Sequence, residues 1–141
     1  MTPTANSGPF VTPAGNPEVI DGATDGAFNY TINDGTGVVY RYGLDRSGSP
    51  VTLFTATCSG GFCPGITYHS KNPSLRIAGI TTISQYSMSG TLLGSFAHGA
   101  GGPGGLAYES STDTLWLVDN NSSNTPRQCL PPPYRRSPNG A

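Results

Sequence analysis

Apolar and polar residues alternate with a period of two along several short stretches of this chain, and the stretches come in pairs separated by polar turns. Gly65-Ile66-Thr67-Tyr68-His69-Ser70-Lys71-Asn72-Pro73-Ser74-Leu75-Arg76-Ile77 lies without a gap over Gly105-Leu106-Ala107-Tyr108-Glu109-Ser110-Ser111-Thr112-Asp113-Thr114-Leu115-Trp116-Leu117, at an offset of 40 residues. Each copy reads as a strand, a polar turn and a second strand opening on Leu, which is the pattern of a β-hairpin. A third copy starts at Pro17, where the run Val19 to Phe28 echoes the run Ala107 to Trp116 and puts Phe28 where Trp116 stands. The rest of the unit also repeats. Val39-Tyr40-Arg41-Tyr42-Gly43-Leu44 followed by Val51-Thr52-Leu53-Phe54 resembles Ile83-Ser84-Gln85-Tyr86-Ser87-Met88 followed by Thr91-Leu92-Leu93-Gly94-Ser95-Phe96.

Each full unit therefore predicts four short antiparallel strands with apolar faces that one unit cannot bury alone, so neighbouring units must stack. The fold class is all-β, with stacked four-stranded antiparallel blades. The expected organisation is an N-terminal lead over 1–16, blade 1 over 17–62, blade 2 over 63–103, the first half of blade 3 over 104–121 and an irregular Pro/Arg-rich tail over 122–141. Phe28, Tyr68, Leu75, Tyr86, Phe96, Tyr108, Leu115 and Trp116 are expected to pack between blades. A small β-sandwich of unrelated hairpins is the competing reading, and it leaves the gapless match unexplained. About two and a half blades are fewer than the roughly four to eight that close a ring, so an incomplete β-propeller with exposed end faces and self-association through blade edges is expected.

Two places break the pattern. Arg76 stands where the aligned unit has Trp116, which is costly if that face is buried and tolerable if the side chain reaches out from an edge. After Asn121, Thr125-Pro126-Arg127-Gln128-Cys129-Leu130-Pro131-Pro132-Pro133 replaces the expected third and fourth strands, and its prolines remove ladder donors, so no strand is expected there.

Gly65-Ile66-Thr67-Tyr68, Gln85-Tyr86-Ser87-Met88-Ser89-Gly90-Thr91-Leu92-Leu93 and Gly105-Leu106-Ala107-Tyr108 with Thr114-Leu115-Trp116 resemble the units of bacterial β-propeller repeat proteins. The resemblance is strongest to the secreted kind whose chains often end in a PEP-CTERM sorting signal, although no Val-Pro-Glu-Pro signal stands in this sequence. It implies an extracellular or cell-surface home, whereas Met1 to Asn16 shows neither the basic region nor the apolar core of a signal peptide.

Composition narrows the function. The chain has 20 Gly and 13 Pro in 141 residues and only 11% charged residues, which suits many turns and argues against long helices. With a net charge of −1 and no basic patch, a nucleic-acid partner is not expected, and no stretch is apolar enough for membrane insertion. Cys58 and Cys63 are separated by Ser59-Gly60-Gly61-Phe62, whose glycines let the chain fold back, so a loop disulfide and two free thiols are both open; the spacing is poor for zinc. Cys129 is left over.

Gly99-Ala100-Gly101-Gly102-Pro103-Gly104 satisfies G-x-G-x-x-G but runs into a strand, not a helix, so it reads as an inter-blade loop. Asp21, Asp25 and Asp34 lie in glycine-rich turns where they could hold calcium, although Asp caps its own backbone in such turns. His69 and His98 have no partner pattern, and no nucleophile elbow is present. Three functions follow: a non-catalytic module binding protein or carbohydrate; a fragment of a lactonase-like propeller hydrolase, whose metal would be held by Asp21, His69 and Glu109 at matching blade positions; or a truncated reading frame without independent function. No catalytic residue and no cofactor is assigned, calcium being the one weak candidate.

Overall fold

Residues 18–45, 49–121 and 125–129 of the computed structural model are described. They form β1 (Val19–Thr24), β2 (Phe28–Asn33), β3 (Val38–Gly43), β4 (Val51–Thr55), β5 (Gly65–His69), β6 (Ser74–Ala78), β7 (Thr82–Ser87), β8 (Leu92–Ala97), β9 (Pro103–Glu109), β10 (Thr114–Asp119) and β11 (Thr125–Cys129), with a 3-10 turn at Ser59–Gly61. Chain order is sheet order: β1-β2-β3-β4 is blade 1, β5-β6-β7-β8 is blade 2, and β9-β10-β11 is blade 3. All pairings are antiparallel.

The first strands β1, β5 and β9 lie against one another, so each blade starts at a common hub and steps outward. Period-two alternation then gives each blade a leading face, toward the preceding blade, and a trailing face, toward the next. The trailing face of blade 1 carries Tyr30, Ile32 and Val39 and meets Ile66, Leu75, Ile77 and Tyr86 on the leading face of blade 2, with Tyr68 and Phe54 packed alongside. The trailing face of blade 2 presents Ala78 and Ile83, with Phe96, to Leu106, Leu115 and Leu117 of blade 3, flanked by Tyr108. Burying these side chains is the main driving force for stacking, at roughly 1.5–3 kcal/mol per fully buried large apolar residue. Cys58 and Cys63 are disulfide-bonded in the connection from blade 1 to blade 2.

Three expectations are corrected. The tail was expected to hold no strand, yet β11 pairs with β10 through its whole length, with Val118 opposite Pro126. A proline is tolerated there because β11 is the outer strand of its sheet, where an imide nitrogen can point away from the ladder. Phe28 and Trp116 were expected between blades and are both 37% exposed. Trp116 lies on the trailing face of blade 3, which no other blade among the described residues covers, and Phe28 sits at the outset of β2 beneath the Arg41 guanidinium, 4.4 Å from its ring centroid.

The equivalence of blade 1 is also shifted. Its first hairpin closes tightly, with the Asp25 N–H donating to the Phe28 carbonyl and Gly26 at φ 89°, so its turn is two residues shorter than those after His69 and Glu109. A positive φ at that position needs glycine. Matching cross-strand pairs are then Ala23 with Tyr30, Thr67 with Arg76 and Ala107 with Trp116, so Tyr30, not Phe28, stands where Trp116 stands.

Candidate functional site

With that register, the residue two beyond Ala23, Thr67 and Ala107 is Asp25 in blade 1, His69 in blade 2 and Glu109 in blade 3. Asp25, not Asp21, is thus the counterpart of His69 and Glu109, each placed at the inner end of a trailing face. Asp25 Oδ1 accepts the N–H groups of Ala27 and Phe28, and its Oδ2 accepts the Tyr30 hydroxyl at 2.6 Å. Those bonds hold its carboxyl below the usual range against the opposing effect of desolvation. Glu109 accepts Trp116 Nε1 at 3.1 Å and the hydroxyls of Thr112 and Ser111, which lower its pKa.

His69 is buried between blades 2 and 3. Its ring stacks on Tyr108, with centroids 4.2 Å apart, and its Nδ1 accepts the Asn72 N–H at 3.0 Å, which places the ring proton on Nε2. Nε2 lies 3.2 Å from Asp113 Oδ1, which also accepts the Tyr108 hydroxyl at 2.8 Å. Burial and the Arg76 charge push the His69 pKa down, against the pull of Asp113, so the imidazole is held neutral. Arg76 is 7% exposed; of its two expected placements the structure has the buried one, beside His69 at the blade junction.

Asp21 sits at the hub itself. Its Oδ2 accepts the N–H of Ile66 in β5 at 2.8 Å and of Leu106 in β9 at 3.1 Å, and its Oδ1 accepts its neighbour Gly22 N–H at 2.9 Å. One carboxylate therefore ties three innermost strands, caring for edge N–H groups that no sheet partner reaches. The residues at the same step in blades 2 and 3 are Gly65 and Gly105. A Cβ on Gly65 would lie 2.8 Å from the Gly104 carbonyl oxygen, so the close approach of β5 to β9 needs glycine there, whereas one on Gly105 would stand at ordinary contact distance, 3.8 Å from Asp21 Oδ2. Desolvation raises the Asp21 pKa despite these bonds.

Asp119 was not singled out in the sequence and is the most completely buried acid described, at 0% exposure. Its carboxylate accepts the N–H groups of Gly101, Gly102 and Asn121 and pairs with Arg127 Nε at 2.8 Å. The glycine cluster 99–104 is thus an inter-blade loop wrapped on an acid rather than a cradle for phosphate. His98 donates from Nε2 to the Gly79 carbonyl and accepts the Ala100 N–H at Nδ1, which bends the same loop.

Asp21, His69 and Glu109 therefore belong to three separate networks and do not converge on one point. Among the described residues no group of three His, Cys, Asp or Glu side chains is placed to hold a metal ion. Asp34 lies in the turn after β2, where its N–H donates to the Glu18 carbonyl and its carbonyl accepts the Cys63 N–H.

Sheets that radiate from a hub, each with its first strand innermost and its flat faces stacked on its neighbours, define part of a β-propeller. Solved propeller-like structures match this arrangement. Among them are the nidogen/laminin complex (TM-score 0.60, 21% identity, 78% of this chain and 42% of that one), a calcium-binding protein, regucalcin, from Agrobacterium tumefaciens strain C58 (0.59, 14%, 75% and 42%), and a streptogramin B lyase (0.59, 14%, 88% and 44%). The chain spans about two fifths of the length of each, and what it shares with them is the fold. No family model and no curated protein sequence matches it.

Proposed function

We propose that this chain is a non-catalytic propeller module that binds or scaffolds a protein or carbohydrate partner as part of a larger secreted or surface assembly. The observation that carries the reading is the assignment of its acids and histidines: Asp21 ties the hub strands, Asp25 and Asp119 fasten turns and loops, His69 fills a blade junction and Glu109 fixes an indole. Each is engaged by the fold itself, whereas a hydrolytic metal centre needs such groups to converge with open coordination positions. The Cys58–Cys63 disulfide supports an oxidising compartment, and no helix among the described residues is long and apolar enough to cross a membrane. The nidogen/laminin complex, a propeller-like neighbour, is a complex between proteins, which favours binding as the use of the fold here.

The test is a lactone-hydrolysis assay and a thermal melt of the full chain, each with and without millimolar calcium, beside a glycan array. The expected result is no hydrolysis, a calcium-independent melting temperature and captured glycans or, failing those, a captured protein partner in pull-down. Calcium-dependent hydrolysis would overturn the reading in favour of the hydrolase.

A further inference from the structure

Blade 1 contains the dipeptide Asp-Gly three times, at Asp21-Gly22, Asp25-Gly26 and Asp34-Gly35. In this dipeptide the backbone nitrogen can attack the preceding side-chain carboxyl with least hindrance, because glycine has no Cβ to block the approach. The fold treats the three pairs differently. At Asp21 the carboxylate accepts the N–H groups of Ile66, Leu106 and Gly22, so the Gly22 N–H is itself directed at Oδ1. At Asp25 it accepts two N–H groups and the Tyr30 hydroxyl, while the Gly26 N–H donates to Thr24 Oγ1 at 3.1 Å. In both pairs the acid is anchored and the nitrogen is already committed as a donor.

Asp34-Gly35, in the turn between β2 and β3, has neither restraint. The backbone of Asp34 is fastened on both sides, its N–H to the Glu18 carbonyl at 2.9 Å and its carbonyl to the Cys63 N–H at 2.8 Å. Its side chain is not: Oδ1 is buried and accepts no hydrogen bond, and no described residue bonds the rest of the carboxylate. The Gly35 N–H has no acceptor among the described residues either, and Gly35 is exposed. A buried carboxylate oxygen without a donor is costly, and a neutral carbonyl oxygen in its place costs less.

We propose that Asp34-Gly35 is a self-modification site, whose two residues condense to a cyclic imide that opens to an isoaspartyl linkage, with water the only co-reactant. The Gly35 nitrogen attacks Asp34 Cγ. The N–Cγ bond forms and a Cγ–O bond breaks, the oxygen leaving as water with the Gly35 proton and one from solvent. Water then adds to the main-chain carbonyl carbon of Asp34, whose oxygen the Cys63 N–H polarises, and the bond from that carbon to the Gly35 nitrogen breaks. The chain now runs through Cγ, and the former main-chain carbonyl becomes a free carboxylate that the Cys63 N–H still serves. The added backbone carbon lies inside the turn that the Gly37 N–H closes on the Asn33 carbonyl at 2.9 Å and the Thr36 N–H on Asn33 Oδ1 at 2.6 Å, so those bonds must give way. The inference is independent of what the module binds.

The test incubates the purified full chain for weeks at physiological temperature and mildly acidic pH, both folded and in urea. Isoaspartate is then located by peptide mapping and by methyl transfer from an isoaspartyl methyltransferase. In urea the three pairs are expected to react alike. In the folded chain the product at Asp34 is expected to exceed that at Asp21 or Asp25 at least about tenfold, because there a bond to a charged group must break first. Gly35→Ala, whose added carbon would meet chiefly the end of the flexible Glu18 side chain, is expected to suppress the product at Asp34 while its circular dichroism spectrum stays that of the parent. Equal amounts at the three pairs in the folded chain, an excess at Asp21 or Asp25, or product at Asp34 that forms only in urea would each overturn the proposal.

Discussion

Replacing Asp119 by Ala removes the acceptor that fastens the loop between blades 2 and 3 to the end of β10. Three backbone N–H groups, of Gly101, Gly102 and Asn121, and the Arg127 guanidinium lose their partner at once. Gly101 and Asn121 are exposed and can turn to water, whereas Gly102 is half-buried and recovers less. Hydrogen bonds to a charged group contribute about 1.5–3 kcal/mol each, and an unsatisfied buried donor costs about 1–3 kcal/mol. Allowing for rehydration of the exposed donors, the loss should be about 3 kcal/mol, a large share of the roughly 5–15 kcal/mol that holds a domain together. Urea unfolding followed by the fluorescence of the single Trp reads it directly. At a slope of about 2 kcal/mol per molar the midpoint should fall by about 1.5 M with the slope unchanged. Arg127→Ala should cost less than about 1 kcal/mol, because that side chain is 44% exposed and its ion pair is screened. If Asp119→Ala shifted the midpoint no further than Arg127→Ala, the backbone cage would contribute nothing and the reasoning would be refuted.

Four further outcomes are expected. Because the folded pKa of His69 is lowered, the stability from its neutral ring is complete above the ordinary histidine pKa of about 6.5 and is lost as pH falls through the lowered value. Melting temperature should therefore fall as pH is taken from about 6.5 down through the lowered value, and His69→Gln should flatten that drop. Gly65→Ala should cost about 2 kcal/mol through the clash with Gly104 and Leu106, whereas Gly94→Ala, with open space around the added carbon, should stay within about 0.5 kcal/mol in the same urea titration. Reducing the Cys58–Cys63 bridge, which closes a loop across a sequence separation of 5, should lower stability by about 2 kcal/mol in a melt run with and without reductant. Asp21→Ala should cost about 2 kcal/mol in the same assay by orphaning the hub N–H groups of Ile66 and Leu106.

The blades were legible in the sequence because strand alternation and a gapless repeat are local signals; Leu75, Tyr86 and Leu115 are buried where that pattern put them. What it missed depended on geometry between distant segments. The shortened turn at Asp25–Phe28 leaves no gap in a one-dimensional comparison, so blade 1 was aligned out of step and Asp21 was grouped with His69 and Glu109 in place of Asp25. Burial at Trp116 was misjudged because the repeat specifies a face without saying whether another blade covers it. Asp119 reads as one more turn acid after Val118, and only the arrival of Gly101 and Gly102 from the preceding connection gives it a role. Pro126 argued against a strand that the outer edge of a sheet accommodates.

The central claim is that three blades radiate from one hub held by Asp21. Amide hydrogen exchange at Ile66 and Leu106, read by NMR in the parent chain and in Asp21→Ala, tests it most directly. The N–H groups of both residues bond to the Asp21 carboxylate of another blade. The account expects both amides to be protected in the parent and to lose protection together in the variant, while the central strands β2, β6 and β10 stay protected. Fast exchange at either amide in the parent, or protection untouched by the substitution, would contradict it.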